Sequence, residues 1–202
     1  MEQENQLDTI VHVEDQNAIF HLSQALEDLL PSRLYQPVVV ICIGTDRSTG
    51  DSLGPLIGSF LDEAGMKAFH VYGTLENPVH AMNLKDILKK VNRTYKRPFI
   101  IGVDACLGRL ASVGEIKVGK GPVKPGAGVN KQLPEVGDVF ITGIVNLAGH
   151  MEFVVLQNTR LNTVMKLAKK IAGALIEADH TYHKKRTFQS AGLSFLRRKP
   201  AR

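Results

Sequence analysis

The sequence predicts a single α/β domain, a three-layer αβα sandwich around a largely parallel central sheet. Three observations carry that prediction. Val38 to Ile43, Phe99 to Val103 and Val139 to Val145 are apolar runs without polar alternation, the pattern of strands buried on both faces. Between them lie segments with apolar residues at helical spacing, so strands and helices alternate along the chain. The 202 residues suit one domain of ordinary size.

Each element has its own signal. Asn17 to Leu30 reads as an amphipathic helix with Ile19, Phe20, Leu22, Leu26, Leu29 and Leu30 on one broad face, stopped by Pro31 and Ser32. Leu53 to Ala64 reads as a helix ended by Gly65. Ala68 to Tyr72 is a short strand, and Pro78 to Asn92 has mostly helical spacing. Gly114 to Val118 alternates like a strand, and Gly119 to Lys131 is rich in Gly and Pro. A helical stretch from about Phe153 to Ala178 contains Asn158, Thr159, Asn162 and Thr163, poor interior residues that suggest two helices. Residues 1–16 and 181–202 are expected outside the core, as an acidic arm and a basic tail around a domain of residues 17–180.

Composition narrows the function. The net charge is +5, yet residues 181–202 hold seven basic residues and no acid, while residues 1–16 hold five acids and no Lys or Arg. The basic balance therefore belongs to one end of the chain, and no aromatic interleaving accompanies it, so no specific nucleic-acid partner is expected. The longest apolar run is six residues, Val38 to Ile43, against the roughly 20 of a membrane-spanning helix. Cys42 and Cys106 are too few for a disulfide framework or a zinc quartet. A soluble cytoplasmic protein is expected.

Ligands of open α/β sheets bind beyond the carboxyl ends of the strands, where the strand order reverses. The run after the first strand contains Asp46, Thr49 and Asp51; the third strand leads into Asp104, Cys106 and Arg109. Asp51 stands before a helix and could simply cap it. Asp104 ends a strand and could be a turn residue. If the two meet, they can share one proton, with one acid as base on water and the other as proton donor. The helix N-terminus favours Asp51 as the ionised member and Asp104 as the acid. Gly114 to Gly121 lacks the Ser or Thr that a phosphate-cradling loop needs, and Pro122 follows. The seven histidines show no zinc-binding spacing. His150 reads as a turn or core histidine and Cys106 as a small buried apolar residue.

The same segments carry a resemblance. Thr49-Gly50-Asp51-Ser52-Leu53-Gly54-Pro55 resembles the T-P-D-A-L-G-P segment of the germination protease of spore-forming bacteria. Val103 to Arg109 resembles that family's I-D-A-L-A-A-R segment, and Pro125 to Lys131 its P-G-S-G-V-G-N-K loop, in the same chain order. The chain's size is similar to that of the short germination-protease-like sporulation proteins of bacilli and clostridia. A more distant likeness is to hydrogenase maturation endopeptidases, which share the phosphorylase/hydrolase-like α/β fold.

The resemblance implies a catalytic pair, Asp51 and Asp104, in an endopeptidase of sporulation or germination, within the sporulating cell or spore. It implies substrate contacts from Asp46, Thr49, Arg109, Gly126, Gly128 and Asn130, and a protein or peptide substrate such as a small spore protein. No cofactor is expected. The maturation endopeptidases hold a metal through acids at these two positions and a later histidine; the Gly-rich loop here has no histidine, so no metal is expected. Homo-oligomerisation is compatible with the sequence. The alternative function is a non-catalytic sporulation protein that uses the protease-like scaffold as a binding module.

Overall fold

A six-stranded sheet has the order β1-β5-β6-β4-β2-β3. Its strands are β1 (Thr9–His12), β2 (Val38–Cys42), β3 (Phe69–Tyr72), β4 (Phe99–Gly108), β5 (Glu115–Lys120) and β6 (Val139–Leu147). The computed structural model describes residues 8–126 and 133–197. The pairs β3–β2, β2–β4 and β4–β6 are parallel; β5 joins β6 and β1 joins β5 antiparallel, making a mostly parallel sheet with one antiparallel edge. The helices are α1 (Ala18–Leu29), α2 (Leu53–Ala64), α3 (Leu84–Thr94), α4 (Glu152–Gln157) and α5 (Leu161–Arg197).

The unalternating strand runs have their expected cause. Every residue of β2 is buried. Val38, Val40 and Cys42 pack into the core beneath α1, α2 and α5, while Val39 and Ile41 join Leu84 and Val91 of α3 on the opposite face. Two faces covered by helices leave no position for a polar side chain.

Several boundaries differ from expectation. β4 runs on through Gly108, so Asp104 lies within the strand rather than at its end. Part of the expected acidic arm is β1, and Val11 within it and Val13 just after it are buried. The boundary expected at residue 180 is crossed by α5, whose Tyr182 is buried and packs against Phe69. Basic composition suggested a tail there, but helical hydrogen bonding continues to Arg197. On α1 the buried residues are Ala18, Leu22, Ser23 and Leu26, whereas Phe20 is 62% exposed. Pro78 to Asn83 precedes α3 as a loop, in which the Asn83 side chain accepts the His80 N–H and donates to the Pro78 carbonyl. The suspected pair of helices is α4 and α5.

One buried acid fastens the last helix to the sheet. Asp179 on α5 is 1% exposed, and its carboxylate accepts the N–H groups of Lys67, Ala68 and Phe69 at 2.8–2.9 Å. Those amides lead into β3, which starts at Phe69, so one side chain satisfies the donors at the entry to the edge strand. Asp179→Asn keeps the shape but turns an N–H₂ toward one of these donors. It is expected to cost about 3 kcal/mol, read as a lower midpoint in urea unfolding with the slope unchanged.

Candidate functional site

The parallel strands place one crevice. From β2 the chain moves outward to β3 and then crosses back to the other side of β2 as β4. The carboxyl ends of β2 and β4 therefore flank the point where strand order reverses, the usual ligand site of such sheets. A cavity of about 550 Å³ lies there, lined by Asp51 and Asp104 among others.

Asp51 is delivered by close backbone packing. It sits in a 3-10 turn, Gly50–Ser52, that runs directly into α2. Its carbonyl accepts the Thr45 N–H at 3.1 Å and lies where a Cβ on Gly44 would have to be. Gly44 has φ +150° and Gly54 faces the Ile43 carbonyl with no room for a Cβ. These two glycines let the start of α2 rest on the end of β2. The cap positions of this turn and of α2 are Thr49 and Ser52, so Asp51 is the N-cap of neither. Gly54→Ala is expected to cost roughly 2–3 kcal/mol, measurable as a lower thermal midpoint, because neither backbone can yield without moving Asp51.

Asp104 stands opposite Thr142 in the β4–β6 ladder, and both line the cavity. Its Oδ1 accepts the N–H of Ala105 at 2.9 Å. Burial pushes its carboxyl up to about 8; the Ala105 bond works against this, and the negative charge of Asp51 adds to it. Asp51 is also raised by burial, partly offset by the hydroxyl of Ser48. That hydroxyl is buried and has no hydrogen bond of good geometry among the described residues, so its hold on the carboxylate is weak. Two carboxyls in one cleft with unequal desolvation lose their protons in separate steps.

The remaining expected residues divide. Gly126 lines the cavity. Asp46, Thr49 and Arg109 do not: Asp46 and Arg109 are exposed, and Thr49 opens the 3-10 turn, its carbonyl accepting the Ser52 hydroxyl at 2.7 Å. Gly128 and Asn130 lie outside the described residues. His150 is exposed and off the cavity. Cys106, expected as buried filler, lines it; burial raises its thiol, the Thr142 hydroxyl opposes this and the Asp104 charge adds to it.

Sequence reasoning did not select His80, Thr142 or Glu152, which also line the cavity. His80 Nδ1 accepts the Met82 N–H at 3.2 Å, so the neutral ring carries its proton on Nε2. His80 precedes α3 and Glu152 opens α4, so only tertiary structure joins them to Asp51. Among the described residues, no three His, Cys, Asp or Glu side chains are placed to hold a metal ion. The two-acid-and-histidine set of the maturation endopeptidases therefore does not fit them.

The pH dependence of stability follows from Asp104. Its folded value of about 8 lies above the ordinary 3.8, so the folded protein binds the proton more tightly than the unfolded chain. That stabilisation is complete below 3.8 and is lost as pH rises through about 8. The thermal midpoint of the native chain is expected to fall across this window. In Asp104→Asn, whose amide mimics the protonated acid, the fall should be largely absent.

Comparisons with known proteins place the chain among relatives. Residues 10–174 match the family described as "Protein of unknown function (DUF1256)". The chain is 54% identical over 167 residues to the "Uncharacterized protein YyaC" of Bacillus subtilis (strain 168), covering 83% of this chain and 82% of that protein. Among solved structures it is similar to the [NiFe] hydrogenase maturation protease HycI from Thermococcus kodakarensis KOD1. The TM-score is 0.53 at 17% identity, covering 77% of this chain and 98% of that one. At that identity the likeness establishes the α/β fold.

Proposed function

The chain belongs to the DUF1256 family, and from the site it carries we propose that it is an endopeptidase in which Asp51 and Asp104 activate water. The observation that supports this reading most is the pair of carboxyls in one cavity at the crevice between β2 and β4, with Asp104 raised to about 8 partly by the charge of Asp51. The protease-like fold is consistent with it.

The unequal environments assign the roles. Asp51, next to the N-terminal end of α2, is the ionised base that takes a proton from water. Asp104 keeps its proton at neutral pH and gives it to the carbonyl oxygen of the peptide bond as water adds to the carbon. Collapse of that tetrahedral adduct returns a proton from the hydroxyl to Asp104, while Asp51 passes its proton to the leaving nitrogen. Both carboxyls end as they began. The substrate is a small protein of the spore, a choice that rests on the three germination-protease-like segments.

This reading makes a direct prediction. With a small-protein extract of spores as substrate, the native chain should generate new N-termini detectable by mass spectrometry. Asp51→Asn or Asp104→Asn should lower their rate of appearance by about 10²–10⁴-fold, with neither thermal midpoint at neutral pH falling below that of the native chain and that of Asp104→Asn lying above it. The native rate should fall as pH rises through about 8, when Asp104 loses its proton. Cleavage that survives both substitutions would sink the acid pair.

A second reading, a binding module without catalysis, draws on the distal part of α5, where Lys184 and Lys185 are exposed and Phe188 is 79% exposed. Truncation after Arg186, which leaves Tyr182 in the core, separates the two. A binding module should lose its sporulation phenotype, and a peptidase should keep its turnover.

A further inference from the structure

β2 and β4 do not end together. Their pairing stops at Cys42 and Val103. Ile43 gives its N–H to the Val103 carbonyl at 2.8 Å and bridges Val79. β4 continues to Gly108, paired there with β6 alone. From Asp104 to Gly108 it therefore has a strand on one side only.

Which backbone groups face the open side follows from alternation, since successive residues of a strand turn their N–H and C=O to opposite neighbours. The Val103 carbonyl faces β2, and the Gly108 carbonyl, which accepts the Ala148 N–H at 2.7 Å, faces β6. Ala105 and Leu107 thus face the gap. The Ala105 N–H is taken by the carboxylate of Asp104. No strand pairs with β4 on this side beyond Val103, so the Ala105 carbonyl and the Leu107 N–H find no ladder partner there among the described residues. One residue of a parallel neighbour, set opposite Cys106, would donate its N–H to the first and accept from the second.

The cavity has the shape this requires. It touches Asp104, Ala105, Cys106 and Leu107 in succession. Ala105 and Leu107 pack with the core under α1, α2 and α5, whereas Asp104 and Cys106 alternate to the opposite face. A single cavity meets both faces of one strand by wrapping its free edge. Only a polypeptide offers donors and acceptors that alternate at the strand repeat.

We propose that an extended segment of a polypeptide adds to the sheet as a parallel strand along Ala105–Leu107, in the line that β2 leaves, with its main chain passing between Asp51 and Asp104. The residue opposite Cys106 turns its side chain toward Thr142. The residues on either side of it turn toward Leu107 and Leu156, both cavity-lining, so apolar side chains are favoured there. The ledge deepens the peptidase reading and rests on it only for cleavage; docking itself needs nothing beyond an extended backbone.

The test uses the full chain and a random decapeptide library displayed for selection. The tightest binder is made as a free peptide and N-methylated at one residue at a time, with affinity read by calorimetry. Methylation should weaken binding about tenfold or more at the residue set opposite Cys106, and little at the residues on either side of it, whose N–H groups face away from the ledge. Leu107→Pro removes the free donor while tolerating an edge position, and should weaken the unmodified peptide similarly at an unchanged circular dichroism spectrum. If that variant fails to fold, the methylation series decides alone. Failure to select any binder, loss of affinity without this pattern, or full binding to folded Leu107→Pro overturns the ledge. Cleavage of peptides whose binding lacks the pattern would overturn the ledge and leave the peptidase. Binders that show the pattern and stay uncut would support the ledge and remove the peptidase.

Discussion

The site depends on how closely one backbone can approach another at the end of β2. Gly44 and Gly54 leave no space for a Cβ, so the start of α2 lies directly against Ile43 and the Asp51 carbonyl against Gly44. That contact sets the position of Asp51. It also turns the chain away from β4 after Ile43, which leaves the upper part of β4 without a strand on its β2 side. An alanine at either glycine would separate the two backbones. The Gly54 of the Leu53-Gly54-Pro55 segment is therefore a packing residue on which the acid beside it relies.

The two carboxyls differ because the fold treats them differently. Asp51 comes from a short turn at the rim, next to the favourable end of a helix dipole. Asp104 comes from within a strand, where its side chain accepts the amide N–H of the next residue. Burying such a group opposes its charged form. The cost is borne by a sheet whose parallel strands are covered on both faces and whose edge strand is fastened by Asp179. Asp179 and Asp104 make an instructive contrast: the first is a buried acid with three amide donors, the second a part-buried acid with one.

Much of the fold was legible because burial on both faces writes itself into sequence as unbroken apolar runs. β2 and the body of β6 read that way, and α2 was legible to its last residue, since Gly65 ends it with φ +67°. β1 was not legible, because a four-residue edge strand with two exposed positions carries almost no periodic signal. The far end of β4 was hidden by Asp104 itself, a residue that usually closes a strand and here continues one. At the site, Asp51 and Asp104 could be singled out from strand-end position and motif. His80, Thr142 and Glu152 could not, since they arrive from elements far apart in sequence and none has a neighbouring motif. Asp46, Thr49 and Arg109, expected as substrate contacts from the same segments, do not line the cavity.

The continuity of α5 has a consequence in conformational entropy. As a flexible tail, the basic residues beyond position 180 would sample many backbone states, and any encounter would have to suppress them, at roughly 1–2 kcal/mol per residue. As part of a 37-residue helix, on the order of 55 Å long, Lys184, Lys185, Arg186 and Arg197 are ordered in advance by turns that begin in the core. A surface that meets Lys184, Lys185 and Phe188 meets a shape that already exists, and loses little freedom in doing so. The same continuity ties that end to Asp179, one turn before the basic residues begin, and through it to the first amides of β3.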